Sequence, residues 1–510
     1  MGSKVEEYMD WKGHKANPRN HGGARAAIIT CVVEVLENMV FLSNATNFVT
    51  YFIKSMHYPT AEAANMVTNF LGTSFLLTIF GGFICDSFFT RFKTFIIFCV
   101  IELLGLIVLT FQALYHPLQP EPNRRSTHYQ AAILYGGLYA IAVGVGGVKA
   151  SLPAHGADQL DNGNQRSISA YFNWFFFCLC TGGLIASTVM IWIEENKGWN
   201  LSFEISIAAL SVGLAIFAFG FPIYRFKHPK GSAIARIFKV FTSSARNWKA
   251  STTGVTGSSS SKFKILDKAL IDDKISEREV EETKTFIGLL PIFVSTIMMN
   301  CCLAQLHTFS VQQGSIMKRN LNNFQIPTQS MTVFPLTIML ASIPLYEHFL
   351  NTFTKKVSNS AHSILHPLKR IGLGLVLASG AMAAAAIVEA KRRKTGADSA
   401  TMSVFWLGWQ YLLLGISDML TLGGMLEFFY SEAPDSMRSI CTALSWCSTS
   451  MGYFLSSVLV TITNYVSAKF GEQWLGGHDL NHTRLDLFYT ILSVLNFFNF
   501  LNYIYWARRY

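Results

Sequence analysis

Charge is what this chain has least of: 14% of its 510 residues are Asp, Glu, Lys or Arg, against about a quarter in ordinary soluble proteins, while 51% are hydrophobic. A water-soluble core cannot take up so many apolar side chains, and lipid is the solvent that suits them. Several other patterns are missing. No nucleophile–base pair and no phosphate-binding glycine loop stands in a plausible context, which removes the common enzyme classes. The nine cysteines, at 31, 85, 99, 178, 180, 301, 302, 441 and 447, fall in or beside apolar runs with neither disulfide nor metal-ligand spacing. They read as small packing residues, and no metal or cofactor is expected. A net charge of +10 would suit nucleic acid, but 13 of the basic residues crowd one central loop and are interrupted by acids. Attraction to anionic lipid accounts for them, and no nucleic-acid partner is expected.

What is present is a series of apolar blocks, each of roughly twenty residues, the length that crosses a hydrocarbon layer about 30 Å thick. They predict helices over 27–52, 65–88, 94–114, 128–152, 169–193, 203–224, 286–306, 329–348, 370–390, 402–429, 439–465 and 486–507. The fold class expected is therefore an all-α integral membrane protein, with twelve transmembrane helices in two six-helix bundles. Met1 to Asn20 is polar and lacks the apolar run of a signal peptide, so the N-terminus is expected to stay cytoplasmic. The domains expected are a cytoplasmic N-terminus (1–26), a first bundle (27–224), a cytoplasmic linker (225–285), a second bundle (286–507) and a cytoplasmic C-terminus (508–510). Of the 41 lysines and arginines, 28 fall on the side of the termini and 12 on the other, in keeping with the positive-inside rule. Lys391, Arg392, Arg393 and Lys394 oppose that bias. Within the linker, Ile234, Ile237, Phe238 and Phe241 recur at helical spacing among Arg236, Lys239 and Arg246, which predicts an amphipathic helix on the inner leaflet. The Gly/Ser/Thr stretch that follows, 252–261, reads as a flexible connection.

An ionisable side chain at a helix centre costs about 2.5–3.5 kcal/mol on insertion scales, so each one needs a partner or a task. Glu34, Glu37 and Asn38 stand at i, i+3 and i+4 on one face of the first span. Two adjacent carboxylates disfavour joint ionisation, which suits a proton carrier; a structural ion pair is the alternative. Lys149 follows Gly144-Val145-Gly146-Gly147 in the fourth span and is a counter-ion for those acids or for a solute carboxylate. Gln305 in the seventh span and Asp418 in the tenth hold corresponding places in a six-plus-six repeat, and the four polar groups sketch one cavity near the midplane. Within the run Tyr171 to Phe177, Phe175 is the candidate wall for a ring-bearing solute. Glu102, near the expected cytoplasmic end of the third span, reads as a snorkelling or helix-contact residue.

At these residues the chain resembles the plant nitrate/peptide transporter family, a proton-coupled branch of the major facilitator superfamily, nearly end to end. Gly82-Phe83-Ile84-Cys85-Asp86 with Arg91-Phe92-Lys93-Thr94 is similar to the superfamily's loop between spans two and three, which implies a conformational role for Asp86 and Arg91. Gly146-Gly147-Val148-Lys149, Ala157-Asp158-Gln159-Leu160-Asp161, Phe172-Asn173-Trp174-Phe175 and Glu427-Phe428-Phe429 resemble further family signatures. Asn300-Cys301-Cys302-Leu303-Ala304-Gln305-Leu306 and Phe309-Ser310-Val311-Gln312-Gln313 look closest to the subfamily that contains abscisic-acid and gibberellin transporters. There are three departures, of which one is a loop after span six shorter than the subfamily's. Asn38 stands where the family's Glu-x-x-Glu-Arg motif ends in arginine, and Leu303 stands where a nitrate carrier has an anion-holding histidine. The resemblance thus implies an importer of a small organic anion, working by alternating access as a monomer in the plasma membrane, with both termini cytoplasmic. Lys149, Gln305, Asp418, Asn38 and Phe175 would bind the solute, and Glu34 and Glu37 would handle protons. Nitrate transport, or a sensor that binds without transporting, are the alternatives.

Overall fold

In a computed structural model of the chain, described for residues 8–58, 60–121, 126–161, 164–229, 231–248, 263–272, 274–321, 324–325, 329–356, 366–395, 402–471, 473–475 and 483–510, the architecture is nearly all helical. Twelve long helices appear in the expected order. Spans 1 to 6 are Gly23–Lys54, Thr60–Ser87, Arg91–Leu114, His128–Asp158, Gln165–Ile185 (carried on through Ala186–Met190 and Ile191–Asn196) and Trp199–Phe219. Spans 7 to 12 are Glu277–His307, Val333–Lys356, Pro367–Lys394, Gly408–Glu432, Arg438–Ala468 and Leu485–Arg509. Several overrun the apolar blocks because polar caps prolong them past the hydrocarbon. Thr127 with Gln130 closes a capping box at the start of span 4, and Ser276 with Glu279 does so for span 7. Span 10 begins later than expected. Residues 404–407 form a separate 3₁₀ turn, held where Lys318 N–H donates to the Met402 carbonyl and Val404 N–H to the Lys318 carbonyl. The linker stretch 252–261 lies outside the described residues.

Among the described residues, ten of the helices are long and apolar enough to cross a membrane on composition alone; span 11 is of similar length but more polar. Span 11 shows why. Its buried hydroxyls face other helices: Ser448 bonds Thr296 (2.8 Å) and Asn300 (3.0 Å) of span 7, and Ser450 donates to the Gly72 carbonyl of span 2 (2.8 Å). In lipid, where apolar surface no longer drives helices together, such bonds and close packing do. Spans 3 and 4 use the packing route. Gly105 and Gly144 are so close to the facing helix that an added Cβ would overlap the backbone or Cβ of its residues. Outward-facing Phe80, Phe111, Ile387 and Phe498 are exposed, as lipid-contact positions should be.

Residues 8–22 lie against the exit of span 6. Met9 and Phe226 exchange two backbone hydrogen bonds, and Gly22 N–H donates to the Ile223 carbonyl. Helix Ala233–Arg246 packs Val240 against Leu266, Ala269, Ile275 and Val280 in a small separate core, and leaves Ile234, Phe238 and Phe241 outward. The basic quartet at the end of span 9 also has an explanation. Arg392 is fully buried on Glu389 (2.7 Å), Arg393 pairs with Asp486 (2.8 Å), and Lys391 caps the Trp406 ring at 3.9 Å. With two of the four charges neutralised, their weight in the charge bias falls.

Candidate functional site

The helical spacing of Glu34, Glu37 and Asn38 delivers all three to one point, and Lys149 meets them there. An ammonium has three protons to donate, and each has an acceptor: Glu34 Oε1 at 2.8 Å, Glu37 Oε2 at 2.5 Å and Asn38 Oδ1 at 3.1 Å. The faces of Phe41 and Trp446 lie 5.8 and 5.4 Å from Nζ and add cation–π attraction. Asn38 is held in turn, its amide nitrogen donating to the Leu179 carbonyl at 2.7 Å. Lys149 and both glutamates are buried. One cation thus serves two acids. Each glutamate keeps one oxygen without a hydrogen bond, Glu34 Oε2 and Glu37 Oε1.

Of the two expected places for Glu102, the structure shows the helix contact. It is fully buried at the span 3–4 seam, facing Gly144, rather than reaching for the membrane surface, and neither of its carboxyl oxygens has a hydrogen-bond partner. The neighbouring charges that act on it are Glu37, Lys149 and Glu34.

Beside this cluster is a cavity of about 120 Å³, enclosed by spans 1, 5, 7, 8 and 10 and the turn at 329–332. Its wall is mostly apolar: Leu42, Phe176, Leu303, Leu336, Met339 and Leu422 stand in it, with Asp418, Ser187 and Thr332 as polar exceptions. The predicted site residues therefore divide. Asp418 is in the cavity wall; Lys149, Asn38, Glu34 and Glu37 form the adjacent cluster instead. Gln305 turns away, donating to the Cys301 carbonyl (3.0 Å) and to Ser456 of span 11 (2.8 Å). Phe175 is buried against Tyr171 with ring centroids 5.7 Å apart, and Phe176, one residue on, takes the wall. A contiguous aromatic run reaches around the whole helix, so its cavity-facing member could not be read from spacing.

Two polar clusters join the halves on the face that carries residues 8–22. In the first, Asp86 accepts from the backbone N–H groups of Ser439 (3.3 Å) and Ile440 (2.9 Å) at the start of span 11, where helix N–H groups have no partner of their own. Arg91 donates to Ser439 Oγ (2.9 Å) and pairs with Asp158, which also accepts from the Tyr430 hydroxyl (2.6 Å). In the second, Glu347 of span 8 takes Arg166 and Asn173 of span 5, both at 2.5 Å. Arg370 of span 9 bonds Asn173 (2.7 Å) and Glu427 of span 10 (2.8 Å), and Glu427 also accepts from Ser169 (3.0 Å). Sequence reasoning missed Glu347 and Arg370. Their signal was slight, a lone acid in the second half of span 8 and a Lys369-Arg370 pair at the start of span 9.

The comparisons agree with this architecture. The POT family model, PTR2, matches residues 92–475. Protein NRT1/PTR family 4.2 of Arabidopsis thaliana is 56% identical over 519 residues, covering 99% of both chains, and protein NRT1/PTR family 4.1 of the same plant is 54% identical with the same coverage. Among solved structures, the POT family transporter PepTSo overlays with a TM-score of 0.67 at 17% identity, covering 96% of this chain and 98% of that one. A POT family transporter in complex with 5-aminolevulinic acid gives 0.64 at 12% identity, covering 97% and 99%. Matching along the length of the chain, in sequence and in fold, they show that it belongs to the POT family of multi-pass membrane transporters, in its NRT1/PTR branch.

Proposed function

We propose that this transporter imports a small, largely apolar organic acid of the abscisic-acid or gibberellin kind across the plasma membrane, with both termini cytoplasmic, as a monomer. The observation that carries the reading is the wall of the cavity between spans 1, 5, 7, 8 and 10. Leucines, Phe176 and Met339 offer a carbon skeleton favourable contact, and Asp418 and Thr332 can meet a hydroxyl or carbonyl of the solute. Nitrate, with no apolar surface, gains nothing there, and Leu303 gives it no donor.

Lys149 is the group that would meet the solute's carboxylate, but all three of its protons are engaged at rest. Protonation of Glu34 or Glu37 removes one claim on the ammonium and frees a donor for the solute. A proton and an anion then enter together, and rocking of the two halves exposes the site to the other side. This scheme does without the missing arginine, because Asn38 orients Lys149 and adds no second positive charge.

The test is uptake of labelled abscisic acid and gibberellin into proteoliposomes with and without an inward pH gradient, against protein-free vesicles that measure passive entry of the neutral acid. Protein-dependent, gradient-enhanced uptake is expected. Binding without flux would make the protein a sensor, and accumulation of nitrate alone would overturn the substrate assignment.

A further inference from the structure

Glu34, Glu37 and Glu102 all act with Lys149 inside the first bundle, and only two of these three acids have a role in the scheme above. Glu102 is the third. It comes from span 3, is completely buried, and keeps both carboxyl oxygens without hydrogen bonds. Its surroundings are charged on one side only. Glu34 and Glu37 of span 1 and Lys149 of span 4 act on it, and Cys99 on its own helix is the other titratable neighbour; among the described residues spans 2 and 6, also packed on span 3, add no charge. The wall opposite is Gly144, where an added Cβ would overlap the Cβ and backbone of Glu102.

Buried carboxylates without a partner are costly in a membrane interior, and such acids typically mark proton pathways. Here the cost is built in by packing: glycine at 144 admits the Glu102 side chain to the seam, and no hydrogen bond there compensates a charge. From this geometry we propose that Glu102 is a proton-holding residue of the transport cycle, exchanging its proton in concert with the Lys149 pair. In the conformer described, Lys149 is spent on Glu34 and Glu37, and Glu102 keeps its hydrogen. When a proton arrives on Glu34 or Glu37, the ammonium is partly released, its field turns toward span 3, and Glu102 can give up the hydrogen it held. One O–H bond forms on the first span with a proton taken from water on the entry side, and one breaks on the third with its proton passing to water on the side the site opens to next, so the charge of the pocket is unchanged. Glu102 touches no solute in this account and acts through Lys149 as a positioning residue for the proton.

The inference rests on the proton-coupled reading above, so its test has one arm that needs no substrate. Purified wild type and Glu102→Gln in bilayers are compared by infrared difference titration, where a buried neutral carboxyl gives its own C=O stretch; the wild-type band is expected to be missing from the variant. Identical spectra would overturn the proposal, whatever the transport result. In the second arm, uptake of labelled abscisic acid is measured against external pH. Glu102→Gln, nearly the same shape but unable to exchange a proton, should lose gradient-driven accumulation and flatten the pH profile while retaining solute exchange at equal pH. Glu102→Asp, which restores a carboxyl, should recover pH dependence even at a lower rate. A Gln variant with the full wild-type pH profile would sink the assignment of Glu102 alone, whereas a wild type that moves no solute would sink the transport reading alone.

Discussion

Lys149 is where the cost of error is highest. Removing one partner of a buried ion pair typically destabilises by about 3–5 kcal/mol, because the charge left behind has no water. Lys149→Ala strands two acids at once, so both fold stability and uptake should collapse, read as a lower melting temperature in detergent and as flux in vesicles. Adding Glu34→Gln and Glu37→Gln to that variant should restore the melting temperature but not the uptake, which separates the structural from the transport role. Leu303→His tests the cavity wall. A buried unsatisfied polar group costs about 1–3 kcal/mol, so uptake of an apolar acid should fall in a competition assay against wild type. The sequence disclosed the Lys149 cluster because charge is scarce in a span and its spacing is visible. It hid Phe176, Trp446 and the sequestered place of Glu102, which depend on how neighbouring helices rotate about their axes.

Among the elements, the seam between spans 3 and 4 is the most demanding. A Cβ at Gly147 would fall within the Phe98 ring, and one at Gly144 would meet Glu102, while Gly136 and Gly380 have open space. Gly147→Ala should therefore destabilise by about 1–3 kcal/mol, the usual penalty for overpacking, and Gly136→Ala should be near neutral; paired thermal melts decide between them. Most span limits were legible to within about six residues because apolar length is set by the bilayer, while span 7 starts nine residues earlier and span 8 ends eight later than expected. The late start of span 10 was not, since it depends on Lys318, 86 positions before Val404, pairing with the segment ahead of the helix. The basic end of span 9 misled the charge count for a similar reason: Glu389 and Asp486, which answer two of its charges, become neighbours only on folding.

The molecule as a whole is held on the terminal face by charges that reach from one half to the other. Asp86 occupies two backbone N–H groups of span 11, so Asp86→Asn should weaken that contact and speed hydrogen exchange at Ser439 and Ile440, with little change at the core of span 4. Glu347→Gln should act in the same direction on the Arg166–Asn173–Arg370 side. The twelve-helix plan and its two halves were readable from hydropathy, whereas the lock between the halves was not, since it joins residues as far apart as 353 and 354 positions. One last consequence follows from the depth of the Lys149 cluster. Groups buried midway through a bilayer sit in its electric field, and moving one elementary charge through that field is worth about 2.3 kcal/mol per 100 mV. A carrier whose acids trade protons beside Lys149 there would be coupled to the membrane voltage as well as to pH. With one proton entering for each anion the full cycle carries no net charge, so this coupling should register as transient charge movements under voltage clamp, and a polarised cell could change the rate of uptake with no change in solute or acidity.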